Sequence, residues 1–256
     1  MEISLSRSAK LLADYAVRMV RCGAETRIAV QNTERLSKAF GFASADVAVV
    51  SGLVSVCLSD DHETVSAMRR SDVIGINMST FHALTNLVFD AEAGRISLAD
   101  FETRMQSLGN YEYPKWLMVL VIGLAAFGFA FINDGGFQCC LVAFAAGALS
   151  FITRYALFRI KVFAMGVFLA CGFVGTLTAG ELSYLLGLSP ADSIIAMIVS
   201  VLLFVPGFPF MTGFSDLIKG YYSMAITRLA MTFIHLSFVT VGILLAFSVL
   251  SVQGWG

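Results

Sequence analysis

Apolar residues run almost unbroken through five stretches of the second half of the chain, at about 116–133, 135–153, 162–180, 193–215 and 229–252. At 1.5 Å of rise per residue, each stretch is about long enough to cross the hydrocarbon core of a bilayer as a helix. The pattern predicts an α-helical membrane protein with a five-helix transmembrane bundle over residues 114–256. Residues 1–113 follow other periods and read as a separate α+β domain. Leu5, Ala9, Leu12, Ala16 and Met19 recur on one helical face that Gly23 ends, and a second helix is predicted over 25–40 with Gly41 after it. The Val-rich runs 46–51 and 53–58, with 64–70 beyond the polar turn 59–63, predict short strands and a hairpin. Helices are predicted over 79–93 and 97–108, the latter opened by Ser97 and Asp100 as a capping box.

Composition supports the division. Hydrophobic residues make up 57% and charged residues 14%, against roughly 25% charged in a soluble domain, and most charges precede Lys115. A net charge of −1 argues against a nucleic-acid partner, which calls for a basic patch. The amino-terminal segment carries Arg7, Lys10, Asp14 and Arg18 and so lacks the uninterrupted apolar core of a signal peptide, which places this domain in the cytosol. Basic residues lie before the first span (Lys115), between the second and third (Arg154, Arg159, Lys161) and between the fourth and fifth (Lys219, Arg228). The alternate connections carry Asp134, Glu181 and Asp192. By the positive-inside rule the amino terminus is inside and the carboxy terminus outside a bacterial inner membrane. Tyr111, Tyr113, Trp116, Tyr221, Tyr222 and Trp255 are placed as interfacial aromatics.

Candidate chemistry is concentrated in the fourth span. Pro206, Gly207 and Pro209 interrupt its apolar run, and proline removes a helical hydrogen bond and collides with the preceding turn. A broken helix at membrane depth is tolerated where it is buried or lines a polar cavity, as in transporters. Thr212, Ser215, Asp216 and Lys219 follow at once, a cluster able to handle a small polar solute or ion, although a plain salt bridge would also account for Asp216. The third span carries Gly166, Ala170, Gly172, Gly175, Thr176, Ala179 and Gly180, a small-residue face that reads first as close packing against another helix bundle and second as the lining of a pathway. His235, about two turns inside the last span, reads either as a neutral hydrogen-bonded histidine or as a proton relay. Cys57 with His62, and His82 after Asn77, form no catalytic pair by sequence proximity alone. Cys57 reads as a core residue of its strand, and no catalytic residue is assigned. The five cysteines show no metal-ligand spacing, and no GxxxxGK[ST] loop is present. Neither a metal nor a nucleotide cofactor is therefore expected, and an ion or proton gradient is the expected energy source.

Several motifs resemble those of the threonine/serine exporter family. They are Gly23-Ala24-Glu25-Thr26, Gly75-Ile76-Asn77-Met78, Tyr113-Pro114-Lys115-Trp116-Leu117, Asn133-Asp134-Gly135-Gly136 and Val205-Pro206-Gly207-Phe208-Pro209, with Asp216, Gly220 and Arg228 at family spacing. The resemblance covers nearly the whole chain and is nearest to the larger component of the split, two-protein branch. It implies a cytosolic domain with five membrane helices, working with a separate, smaller five-span protein. It also implies export of succinate, or of threonine and serine, and marks Glu25 and Asn77 as a cytosolic motif. Thr212 departs from the family's frequent Asn and Ala225 from its frequent Gly, and His235 is no usual family residue. An odd number of spans inverts the next domain, so two five-span halves would generate an inverted repeat around a midplane site. The sequence thus describes a secondary-transporter subunit for a small carboxylate metabolite. Its rival is a membrane-anchored sensing or regulatory module without transport activity, and the proline break favours transport.

Overall fold

The structure, a computed structural model, describes residues 4–60, 62–71, 75–109 and 113–252. Its elements are α1 (Leu5–Arg21), α2 (Thr26–Ala39), β1 (Ser44–Val50), β2 (Gly52–Ser59), β3 (Thr64–Ser71), α3 (Met78–Glu92), α4 (Leu98–Ser107), α5 (Lys115–Ile132), α6 (Phe137–Arg159), α7 (Ala164–Leu185), α8 (Pro190–Leu202), α9 (Gly207–Ile218) and α10 (Tyr222–Val252). Two compact units divide them: residues 1–112 with 208–229, and residues 113–207 with 230–256. Asp61 of the predicted turn 59–63, and Tyr111 and Trp255, placed above at the interfaces, lie outside the described residues.

In the first unit, three antiparallel strands run in the order β1-β2-β3. Asp60 Oδ1 accepts from the backbone N–H groups of His62 and Glu63, both at 2.8 Å, and so makes the second hairpin turn. Period-2 alternation puts Val54, Val56 and Leu58 of β2 on the inner face, each at 0% exposure. Burying each of them contributes about 1.5–3 kcal/mol. Cys57 occupies the opposite face and is half-buried, opposite Ser66 of β3. A strand has two faces, and the Val-rich run does not tell which one a single cysteine joins, so the core role read from sequence is corrected. The helix α1 is buried far beyond the predicted stripe: Leu11, Ala13, Tyr15, Val17 and Val20 join Leu12, Ala16 and Met19 in the core, because α1 packs on β2, β3, α2 and α3. Ser97 and Asp100 form the expected capping box at α4.

The second unit is helical. Among the described residues, four helices are long and apolar enough to cross a membrane (α5, α6, α7 and α10), and a fifth span results if α8 and α9 are one broken span. In this unit α6 packs on α5, α7 and α8 through Cys139, Cys140, Ala143, Ala146, Gly147 and Ser150, small side chains that let helices approach closely. The outward side chains include Trp116, Leu124, Phe131 and Ile132. Helices extend past the charges that bounded the apolar stretches: α6 includes Arg154 and Arg159, and α10 includes Arg228. Long cationic side chains reach away from the axis, so a charge does not by itself end a helix.

The small-residue face of α7 is filled from within the chain. A Cβ on Gly172 would lie 2.6 Å from the Val239 carbonyl oxygen, one on Gly175 would lie 3.1 Å from Val201, and one on Gly180 would lie 2.6 Å from Leu250. These residues therefore serve close packing, as their spacing predicted, but against α8 and α10 of the same chain.

Candidate functional site

The turn between α1 and α2 is built around Gly23, whose φ of +96° favours glycine. A Cβ there would sit 2.8 Å from the Gly75 carbonyl oxygen and 3.0 Å from the Phe208 ring. Gly75 N–H donates to Arg21 O at 2.8 Å and Asn77 N–H to Cys22 O at 3.0 Å, which fixes the second motif along the end of the first. Asn77 then caps α3, its side chain accepting from Thr80 N–H at 3.0 Å.

The start of α2 is capped from a distance. Its first N–H groups lack partners within the helix, and the Glu25 side chain at the cap position makes no capping bond. Asp216 of α9 takes that role: Oδ1 accepts from Thr26 N–H at 3.0 Å and Oδ2 from the Thr26 hydroxyl at 2.9 Å. A carboxylate suits the positive end of a helix. The same Oδ2 lies 3.0 Å from Arg228 Nη1, with side chains 0% and 2% exposed. Arg228 Nη2 donates to Ala24 O at 2.7 Å, so one guanidinium joins the Asp216 carboxylate to the α1–α2 turn. Beside this pair Glu25 meets Lys219 in a partly exposed ion pair. The Lys219 ammonium, with help from Ser215 and Arg228, holds the Glu25 carboxyl below the ordinary glutamate range despite partial burial.

Glu25→Gln is expected to destabilise the chain by under about 1 kcal/mol, as for other partly exposed pairs, when thermal unfolding is compared at neutral pH. Because the folded-state value is depressed, the ionised pair contributes above the unfolded glutamate value and its contribution is lost as pH falls through the folded one. The difference between wild type and variant should therefore shrink at acid pH.

The remaining sequence-selected residues divide between the units. Pro206 follows the end of α8 in the helical unit. There Val205 N–H donates to Leu202 O at 3.1 Å and Gly207 N–H to Val205 O at 2.8 Å, so carbonyls left without helical partners are taken up locally. Gly207 and Pro209 lie in the first turn of α9, where a proline removes no intrahelical bond. The Thr212 hydroxyl donates back to Phe208 O at 3.0 Å and Pro209 O at 3.2 Å. His235 lies in α10 against the Phe168 ring, with centroids 4.6 Å apart. Among the described residues, no group of three His, Cys, Asp or Glu side chains is arranged to hold a metal ion.

Glu25, Thr26, Asp216, Lys219 and Arg228 thus meet in one place, with Asn77 linked through the Cys22 carbonyl. Thr26 appears in the sequence reading only as a motif letter, and Arg228 only as a motif letter and as a basic residue of a connection. The available signal was a lone arginine at the edge of an apolar stretch, twelve residues after a lone aspartate.

The sequence pattern of the family described as "Putative threonine/serine exporter" matches residues 10–250. The chain belongs to the threonine/serine exporter family. Its relatives include "Probable succinate transporter subunit YjjP" of Klebsiella aerogenes, 28% identical over 246 residues, or 96% of this chain and 95% of the relative. The protein of the same name from Escherichia coli K12 is 27% identical over 237 residues, or 93% and 92% of the two chains. No solved structure matches the chain. Family and apolar helices together make it a multi-pass membrane transport protein.

Proposed function

We propose that the chain is one subunit of a secondary transporter that exports a small carboxylate metabolite across the bacterial inner membrane together with a smaller five-span protein. Succinate or another dicarboxylate is the first cargo class, threonine or serine the second. The first unit faces the cytosol, residues 114–256 contribute five spans including the broken α8–α9 pair, and the carboxy terminus is outside. The word "subunit" in the relatives' names supports a partner, and the one-sided distribution of Lys and Arg supports the orientation.

The observation that carries this reading is the Asp216 carboxylate, which fastens the helix after the proline break to the first turn of α2. A transporter needs an element with two arrangements, and a helix broken at Pro206 and held by one ion pair suits that role. In this proposal Pro206, Gly207, Pro209, Thr212 and Asp216 shape the substrate path, Glu25 and Asn77 brace the lock, and His235 relays protons in exchange for cargo.

Inverted membrane vesicles containing this chain with its small partner are expected to take up labelled succinate or threonine, and vesicles containing either protein alone are not. Retention of both solutes outside vesicles that hold the assembled pair would favour a membrane-anchored sensing module and overturn the export reading.

A further inference from the structure

Inside the helical unit, α6 carries a guanidinium that the export reading uses only as one of the charges that set the orientation. Arg154 lies five residues before the end of α6 at Arg159, about 8 Å along the axis. An arginine that only anchors a helix at the interface turns its donors to water and headgroups. Arg154 is half-buried, and its Nε is buried without a hydrogen-bond partner among the described residues. Its guanidinium lies 5.4 Å from the Phe151 ring and 5.6 Å from the Phe158 ring. A buried donor left unpaired costs about 1–3 kcal/mol, and an ionisable side chain placed this way in a membrane helix marks a solute or ion path.

Polar groups continue from it into the close-packed seam between α6, α7 and α8. One turn before Arg154 on α6, the buried Ser150 hydroxyl donates to Cys171 O of α7 at 2.8 Å. A Cβ on Gly175 would be 3.3 Å from both Ser150 Oγ and Ser200 Oγ, so this glycine brings hydroxyls of α6 and α8 to one point on α7. Thr176 follows, with its hydroxyl buried and without a partner among the described residues. From Arg154 to Thr176 the seam holds a cation first and three hydroxyls after it; those of Ser150 and Ser200 donate to Cys171 O and Met197 O and can still accept, and that of Thr176 is unpaired among the described residues. Aromatic side chains cover the cation. Phe151 meets Tyr155 edge to face at 5.0 Å and Phe204 in a tilted contact at 6.5 Å, and Phe204 lies in the break between the end of α8 and Pro206. The neighbouring 560 Å³ cavity beside Thr176 is otherwise lined by apolar side chains such as Ile194, Met197 and Phe247, so it does not suit a carboxylate.

We propose that Arg154 binds a carboxylate of the transported metabolite at the mouth of this seam, with the Phe151–Phe204 contact as its closed gate. The inference rests on the export reading and adds to it the group that recognises the cargo. A guanidinium pairs a carboxylate through two parallel N–H donors. That chemistry is shared by succinate and by threonine.

The test uses the chain assembled with its small partner, as wild type, Arg154→Gln and Arg154→Lys. Vesicle uptake gives KM and maximal rate, equilibrium binding of labelled succinate and threonine is measured on the purified pair, and membrane abundance is followed for each variant. Arg154→Gln is expected to raise both KM and the dissociation constant by about tenfold or more at unchanged abundance, with Arg154→Lys in between. Equal binding by wild type and Arg154→Gln, or a loss of rate that only follows loss of protein, would overturn the assignment. Wild-type protein that binds succinate through Arg154 but moves nothing would contradict the export reading while leaving the binding site standing.

Discussion

Replacing Asp216 with alanine is expected to destabilise the first unit by about 3–5 kcal/mol, the scale on which a buried ion pair fails when one partner is removed. The loss has two parts. Arg228, 2% exposed, would keep its charge in a place where water cannot replace the carboxylate. The Thr26 N–H and hydroxyl would also lose their acceptor at the start of α2. Asp216→Asn keeps one acceptor for Thr26 and loses the charge, so it should fall between wild type and alanine. A double variant, Asp216→Leu with Arg228→Met, should recover much of the stability, since replacing a whole buried pair by apolar groups is often neutral or better. Thermal unfolding of the purified complex separates these outcomes. Equal stability of Asp216→Ala and wild type would show that the pair holds nothing together.

Gly242→Leu is expected to remove folded protein from the membrane, and Gly242→Ala to reduce it clearly. A Cβ at this position would press against the Leu169 carbonyl oxygen and lie 2.9 Å from Phe173 N, while one on Gly172 would lie 2.6 Å from the Val239 carbonyl oxygen. The two glycines thus sit where the backbones of α7 and α10 meet, and backbone atoms cannot turn aside as a flexible side chain can. Overpacking costs about 1–3 kcal/mol where neighbours can shift, and more where they cannot. Gly128 of α5 is the control, because a Cβ there meets nothing within 4 Å. Size-exclusion profiles of detergent-extracted protein would read the result. A normal peak for Gly242→Leu would contradict the close crossing.

Much of the helix and strand order was legible because its signals are local. The capping pair Ser97 and Asp100, the alternation through Val54, Val56 and Leu58, and the glycine after α1 each act within a few residues, and each has the predicted place. The proline break was legible for the same reason, although its carbonyls are satisfied by short-range bonds that the sequence did not disclose. Long-range pairing was not legible. Asp216 reaches Thr26 across 190 positions, and nothing in the letters around either residue names the other. The small-residue face of α7 was recognised as a packing face, yet its spacing is the same for a helix of this chain as for one of a partner. The charge of Arg154 placed it in a connection, whereas its aliphatic stem and the flanking rings let it remain within α6.

Transport by the purified pair tests the central claim most directly. This chain and its small membrane partner, reconstituted together into liposomes preloaded with unlabelled succinate or threonine, should accumulate the labelled solute by exchange, whereas liposomes with this chain alone should not. Exchange at the full rate by the chain alone, or none of either solute by the assembled pair, would contradict the account.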